Sequence, residues 1–290
     1  MRTQLTFLII LLSFCDLTSV AQKDTVYVKN IVYAETGDKK LQLDIYKLKE
    51  QAAPYLIVWI HGGAWHSGNK ENPPLQLLGY GYALASIDFL PSTERPFPAQ
   101  VHDIKAAIRF LRANAKKYGF REDKIIAWGS SSGGHLAALV ATTNNNNKLE
   151  GDLGAYINTS SSVQAGIDYF GPTNLVTILN QSTPFGLNVR LPALALLLGK
   201  PVEQVPELAK LASPVYQVDP TDPPMFIVHG EQDVQVPVNQ SIELWNEYKN
   251  KNLKVQVEFL PNAAHGGEAF FKKELLDKID KFLKENGFQH

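Results

Sequence analysis

Three serines stand between two glycines at residues 129–133 (Gly129-Ser130-Ser131-Ser132-Gly133), between a strand-like apolar run and a helix-like one. A serine hydroxyl is a poor nucleophile until a base takes its proton, and that base needs an acid to hold it in the right tautomer. A Gly-x-Ser-x-Gly turn from strand to helix supplies the first part of this chemistry. It is so tight that the central Ser adopts a strained backbone and its neighbours must be small, which lifts the hydroxyl clear of the sheet. Here the central residue is Ser131. In a chain with 20 Gly such a pentapeptide arises easily by chance, so its partners must carry the argument.

Those partners follow in the order Ser, acid, His that this kind of turn requires. The run Met225–Val228 leads into His229-Gly230-Glu231-Gln232-Asp233, and Val255–Leu260 leads into Pro261-Asn262-Ala263-Ala264-His265-Gly266-Gly267. Each loop starts at the C-terminal end of a strand, on the sheet edge where Ser131 emerges and where open α/β sheets bind ligands. Asp233 is the predicted acid and His265 the predicted base, with Glu231 and Glu268 as rival carboxylates. Upstream, His61-Gly62-Gly63-Ala64-Trp65 follows the apolar run Tyr55–Ile60. Two glycines after a strand let the backbone turn its amides inward. The N–H groups of Gly63, Ala64 and Ser132 are therefore the predicted oxyanion hole, which stabilises the charge that develops during acyl transfer. Trp65, His66 and Phe185 are candidate pocket walls. His61 is expected to pin its loop by hydrogen bonding, and His135 to be structural. His61 and His66 have no third ligand at a useful spacing, and no phosphate-binding glycine loop is present, so no metal or cofactor is expected.

The elements that must hold these residues alternate along the chain. Thr25–Tyr33 and Leu41–Tyr46 read as half-exposed antiparallel strands. Six short apolar runs, at 55–60, 82–88, 124–128, 166–170, 225–228 and 255–260, read as buried parallel strands. Between them, Val101, Ile104, Ile108, Leu111 and Ala115 recur at helical spacing before Gly119, and helical patterns return over 238–248 and 268–286. A β-rich start followed by β-α units predicts a mostly parallel sheet with helices on both faces, in one domain. Residues 144–147, all Asn, read as a mobile loop. Residues 172–223, rich in proline and with one helical patch at 191–198, read as a short cap or insertion beside the site.

Composition narrows the setting. The chain has 290 residues, 44% of them hydrophobic and 20% charged, and a net charge of −1 with no basic cluster, so nothing points to nucleic acid. Residues 1–21 carry Arg2, an apolar stretch from Leu5 to Phe14 and Ser19-Val20-Ala21, which reads as a cleaved secretory signal with Gln22 first in the mature chain. About ten apolar residues are too few to span a hydrocarbon core of roughly 30 Å, so no membrane anchor is expected. Cys15 is the only cysteine and leaves with the signal, so the mature domain, 22–290, can form no disulfide. A secreted or periplasmic location is predicted, and the oligomeric state is left open.

Together these residues resemble the α/β-hydrolase fold, and more narrowly the hormone-sensitive-lipase-like esterases and bacterial feruloyl or acetyl-xylan esterases. The resemblance rests on His-Gly-Gly-x-Trp at 61–65, the Phe-Pro-Ala…Asp-x-Lys-x-Ala-x-Arg-x-Leu-Arg helix at 97–112, and the Gly-x-Ser-x-Gly-Gly-His-Leu-Ala elbow at 129–137. It extends through Asp-x-x-Gly-Pro-Thr-x-Leu at 168–175 and Ser-Pro…Asp-Pro-Pro…His-Gly-x-x-Asp at 213–233. It implies a serine carboxylic-ester hydrolase working through an acyl-enzyme, on acetyl or feruloyl esters of polysaccharide. An arylformamidase-like amide hydrolase, which shares His-Gly-Gly-x-Trp, and a catalytically inactive binding module are the alternatives. One departure stands out: the family's Tyr-Arg-Leu after the fourth strand is Asp88-Phe89-Leu90 here, so an ion pair made by that Arg is lost or passes to Arg95.

Overall fold

Strand residues alternate between two apolar layers, and this alternation shapes the whole molecule. In strand β3 (Leu56–Ile60), Leu56, Val58 and Ile60 enter one core while Ile57 and Trp59 enter the other. All five are buried, which is why the run shows no polar alternation in sequence. The same holds for β4 (Ala83–Ile87) and β6 (Ala165–Tyr169). In a computed structural model that describes residues 25–289, these join β1 (Thr25–Thr36), β2 (Lys39–Leu48), β5 (Ile125–Ser130), β7 (Met225–Gly230) and β8 (Val255–Leu260). The strand order is β1-β2-β4-β3-β5-β6-β7-β8. β1–β2 and β2–β4 pair antiparallel, and every other pair is parallel. The predicted leader, residues 1–21, lies outside the described residues.

Helices cover both faces. On one lie α1 (Ala99–Ala113), which the short α2 (Ala115–Tyr118) extends up to left-handed Gly119, and α3 (Ser132–Ala141). The insertion follows as α4 (Ile178–Gln181), α5 (Pro184–Leu198), α6 (Pro206–Leu211) and α7 (Pro214–Gln217). Next comes α8 (Asn239–Asn250). The last helix, α9 (Lys273–Glu285), covers the opposite face with Leu276, Ile279 and Leu283.

Two expectations need correction, and one open alternative is decided. The helix expected at 191–198 begins at Pro184, because the Thr183 hydroxyl accepts the Gly186 N–H (3.0 Å) and Pro184 fits the first helical turn. The asparagine tract is fastened rather than mobile: Asn144 exchanges two hydrogen bonds with the Val163 backbone, both 2.9 Å, and Asn146 accepts from the Lys148 N–H. Arg95 does not take over the missing ion pair, since its guanidinium donates to Thr36 Oγ1 (2.8 Å). The buried Asp103 carboxylate accepts the Leu90 N–H instead (2.9 Å), and burial raises its pKa to about 6 against the weaker pull of that bond and of Arg95. Among the described residues, 184–204 is the one helical stretch long and apolar enough to cross a membrane, and here it forms part of the insertion.

Candidate active site

Ser131 sits between β5 and α3 with φ 54° and ψ −122°, a region L-residues seldom occupy. Its N–H donates to Tyr169 (2.8 Å) and its carbonyl accepts from the His135 N–H (3.0 Å), which fixes the turn from both sides. The flanking glycines are there for space. A Cβ on Gly129 would strike the Gly133 backbone, and one on Gly133 would strike the carbonyls of Ile60 and His61. The elbow and the loop after β3 therefore touch backbone to backbone.

His265 Nε2 lies 2.9 Å from Ser131 Oγ, and His265 Nδ1 lies 2.6 Å from Asp233 Oδ2. A carboxylate only accepts, so Nδ1 carries the proton and Nε2 faces the serine free to receive one. Asp233 Oδ1 accepts from the N–H groups of Gln235 (2.8 Å) and Val236 (2.9 Å). Burial alone would raise the Asp233 carboxyl, but hydrogen bonds from His229 and His265 and the backbone amides outweigh it and hold the group far below the usual carboxylate range. Glu231, the rival acid, is exposed.

The loop after β3 has positive φ at Gly63 (118°), Ala64 (51°) and Trp65 (63°), a tight left-handed path for three successive residues. Among the described residues, the N–H groups of Gly63, Ala64 and Ser132 make no turn or cap hydrogen bond. The Gly63 carbonyl closes the loop by accepting from His66 (3.1 Å) and Ser67 (3.0 Å). His61 pins it as expected: Nδ1 donates to Gly62 O (2.7 Å) and the ring stacks on Phe89 at 4.4 Å.

The three candidate wall residues do not assemble. Trp65 is fully buried, with its indole Nε1–H donated to His135 Nδ1 (2.9 Å), so it is a core anchor of the loop rather than a free wall. His66 is exposed, and Phe185 on α5 is 56% exposed. Two further residues, His229 and Phe170, support the site. His229 Nε2 donates to Val236 O (3.0 Å) and stands 3.4 Å from Asp233 Oδ2, while its Nδ1 accepts the Ser241 hydroxyl (2.7 Å). Phe170, at φ 45°, sets its ring edge-on to His265 at 4.8 Å. The position of His229, just before Gly230 at the end of β7, was the one available signal for it. Phe170 left none. Among the described residues, no group of three or more His, Cys, Asp or Glu is placed to hold a metal.

His135 ties this machinery together and makes its stability sensitive to pH. Its Nδ1 accepts from Trp65 and its Nε2–H donates to Ala212 O (2.7 Å), so a second proton would collide with the indole N–H. Burial lowers its pKa to about 4. Between about pH 6.5 and 4 the unfolded chain binds a proton that the folded one refuses, so this residue makes stability fall as pH falls. The loss is on the order of 3 kcal/mol over that window. His135→Gln can keep both hydrogen bonds without titrating. Urea unfolding from pH 7 to 4.5 is expected to show a flatter pH dependence for the variant, and equal slopes would refute the assignment.

An elbow serine, an imidazole and a carboxylate in hydrogen-bond series, on the carboxyl edge of this eight-stranded sheet, define the α/β-hydrolase fold. The chain belongs to the BD-FAE family, whose model matches residues 43–248. Esterase LipC of Mycobacterium tuberculosis is 28% identical over 251 residues, covering 83% of this chain and 60% of that protein. Esterase LipQ of the same organism is 31% identical over 247 residues, covering 81% and 56%. The chain thus spans little more than half the length of these relatives. Among solved structures, a truncated form of a carbohydrate esterase from gut microbiota superposes with a TM-score of 0.82 at 33% identity, covering 92% of this chain and 98% of that one.

Proposed function

We propose that this protein is a secreted or periplasmic serine carboxylic-ester hydrolase that removes acetyl or feruloyl groups from polysaccharide. The unbroken series Asp233–His265–Ser131 on a strained elbow, at 2.6 and 2.9 Å, carries the reading. Ser131 Oγ attacks the ester carbonyl while His265 Nε2 takes its proton. The N–H groups of Gly63, Ala64 and Ser132 receive the oxyanion, and Asp233 stabilises the imidazolium. His265 then gives its proton to the departing alcohol, which leaves the acyl group on Ser131. Water, deprotonated by the same imidazole, attacks the acyl carbonyl, and the carboxylic acid leaves as Ser131 regains its proton. The polysaccharide substrate draws support from the solved relative described as a carbohydrate esterase. Export, with cleavage after Ala21 to leave one hydrolase domain from Gln22, draws support from the leader-like composition of residues 1–21.

A substrate panel tests this. Acetylated xylan and 4-nitrophenyl acetate, or methyl ferulate, are expected to be hydrolysed, with a fluorophosphonate probe attached to Ser131. Activity on acetyl esters alone would remove the feruloyl reading. Faster cleavage of an N-formyl arylamine than of any ester would replace esterase by amidase. A folded protein that neither reacts with the probe nor turns over any member would be a binding module.

A further inference from the structure

Helix α5 is a strap fastened at both ends. At its start, Thr183 Oγ1 donates to Val234 O (3.0 Å), directly after Asp233, and Gly186 packs so closely on the Val234 and Gln235 carbonyls that a side chain there would have to displace them. At its end, the Phe97 N–H donates to Leu197 O (2.7 Å), and left-handed Gly199 faces Pro96. Between the two fastenings Arg190 turns inward and is 1% exposed. Its Cζ stands 5.9 Å from the ring of Trp65, in the loop that offers the oxyanion amides, and its charge is felt by Asp233.

This guanidinium is uncompensated. Nε and Nη1 are buried without a hydrogen-bond partner, and no carboxylate among the described residues pairs with it. The other arginine buried to the same degree, Arg109, also leaves its Nε without a partner but has its terminal nitrogens paired. It meets Glu150 at 2.6 Å and the carbonyls of Glu150 and Leu153 at 3.0 and 2.9 Å. A cation–π contact near the outer limit of about 6 Å returns less than the burial of an ion costs. Burial lowers the Arg190 pKa to about 10, so at neutral pH the group keeps its charge and its empty donors.

We infer that Arg190 is the specificity-determining residue of this site and receives a carboxylate carried by the substrate, so that the preferred esters are acidic ones such as esters on uronic-acid sugars. A planar carboxylate matches the fork of Nε and terminal nitrogens, and the ion pair replaces the water lost on burial. Asp233, whose negative charge acts on Arg190, is already engaged by two histidines and two backbone amides, so it is not available as the partner.

This inference rests on the hydrolase reading, and its test separates the two. The first readout is the ratio of kcat/KM for acetylated glucuronate over acetylated glucose, with mono-4-nitrophenyl succinate over 4-nitrophenyl butyrate probing the acyl side. At least one ratio is expected at roughly 30 or more in the wild type, to fall to near 1 in Arg190→Leu, and to recover in part in Arg190→Lys. The second readout needs no turnover: Ser131→Ala protein is expected to gain thermal stability with glucuronate and not with glucose, an effect lost in Ser131→Ala/Arg190→Leu. Glucuronate binding without ester turnover would uphold the anion site and sink the hydrolase reading. Turnover with both ratios near 1 and no glucuronate binding would overturn the inference and leave the hydrolase reading intact. If Arg190→Leu fails to fold, the wild-type ratios, Arg190→Lys and glucuronate binding still decide.

Discussion

Ser131→Ala is expected to lower kcat for ester hydrolysis by on the order of 10⁵-fold while the thermal midpoint holds or rises. Removing Oγ leaves His265 Nε2 without the proton source now 2.9 Å away, so no acyl-enzyme can form. What remains is the slow attack of water on a substrate still bound and polarised by the oxyanion amides. Folding does not depend on the hydroxyl, because the elbow is held through the Ser131 backbone, by Tyr169 on one side and His135 on the other. Ser131→Gly makes the same point more sharply. A backbone at φ 54°, ψ −122° costs a side-chain-bearing residue roughly 1–3 kcal/mol, which glycine does not incur. That variant is expected to be equally inactive and measurably more stable. If Ser131→Ala kept more than about a hundredth of wild-type kcat, the nucleophile would have to be sought at Ser130 or Ser132.

The elbow and its partners were legible because each stands where a strand ends, and buried strands announce themselves as short apolar runs. Ser131, Asp233 and His265 fall on loops after β5, β7 and β8, so chain order and strand order together predicted their meeting. The insertion was harder to read. Thr183-Pro184 is a sound helix start, but Gly186 and Pro192 inside α5 look like breakers, and only the packing of Gly186 on the acid loop explains why a glycine is there. Trp65 is ambiguous in sequence because its type suits a pocket wall as well as a core, and its indole N–H finds its acceptor 70 residues away. The order of the asparagine tract is hidden for the same reason, since the partners that fasten it, Val163 and Thr221, are distant in sequence. Arg190 gave no signal at all. Nothing in its local sequence states that its guanidinium is buried and unpaired.

Asp233→Asn is expected to lower kcat by about 10⁴-fold with little change in KM, although the side chain keeps its shape. The reason lies in the four groups the carboxylate serves. Oδ1 accepts two backbone N–H groups, from Gln235 and Val236, so the amide oxygen of Asn must take that position. Flipping it would bury an NH₂ group against two other donors, at a cost of at least 1–3 kcal/mol for each group left unpaired. The NH₂ group then occupies the place of Oδ2 and donates toward His265 Nδ1. The imidazole must answer with an acceptor there, which moves its own proton to Nε2 and points N–H instead of a lone pair at Ser131. Geometry survives and the base is lost. Stability is also expected to fall, because His229 Nε2–H keeps its bond to Val236 O but loses the nearby negative charge. In the wild type that carboxyl is held so far down by its donors that it stays ionised throughout neutral and mildly acidic pH. Mild acidification is therefore not expected to act on activity through protonation of Asp233. Glu231→Gln is the matching control: its side chain is exposed, and the variant should stay within a few-fold of wild type. Equal damage from both substitutions would mean that the acid had been misassigned.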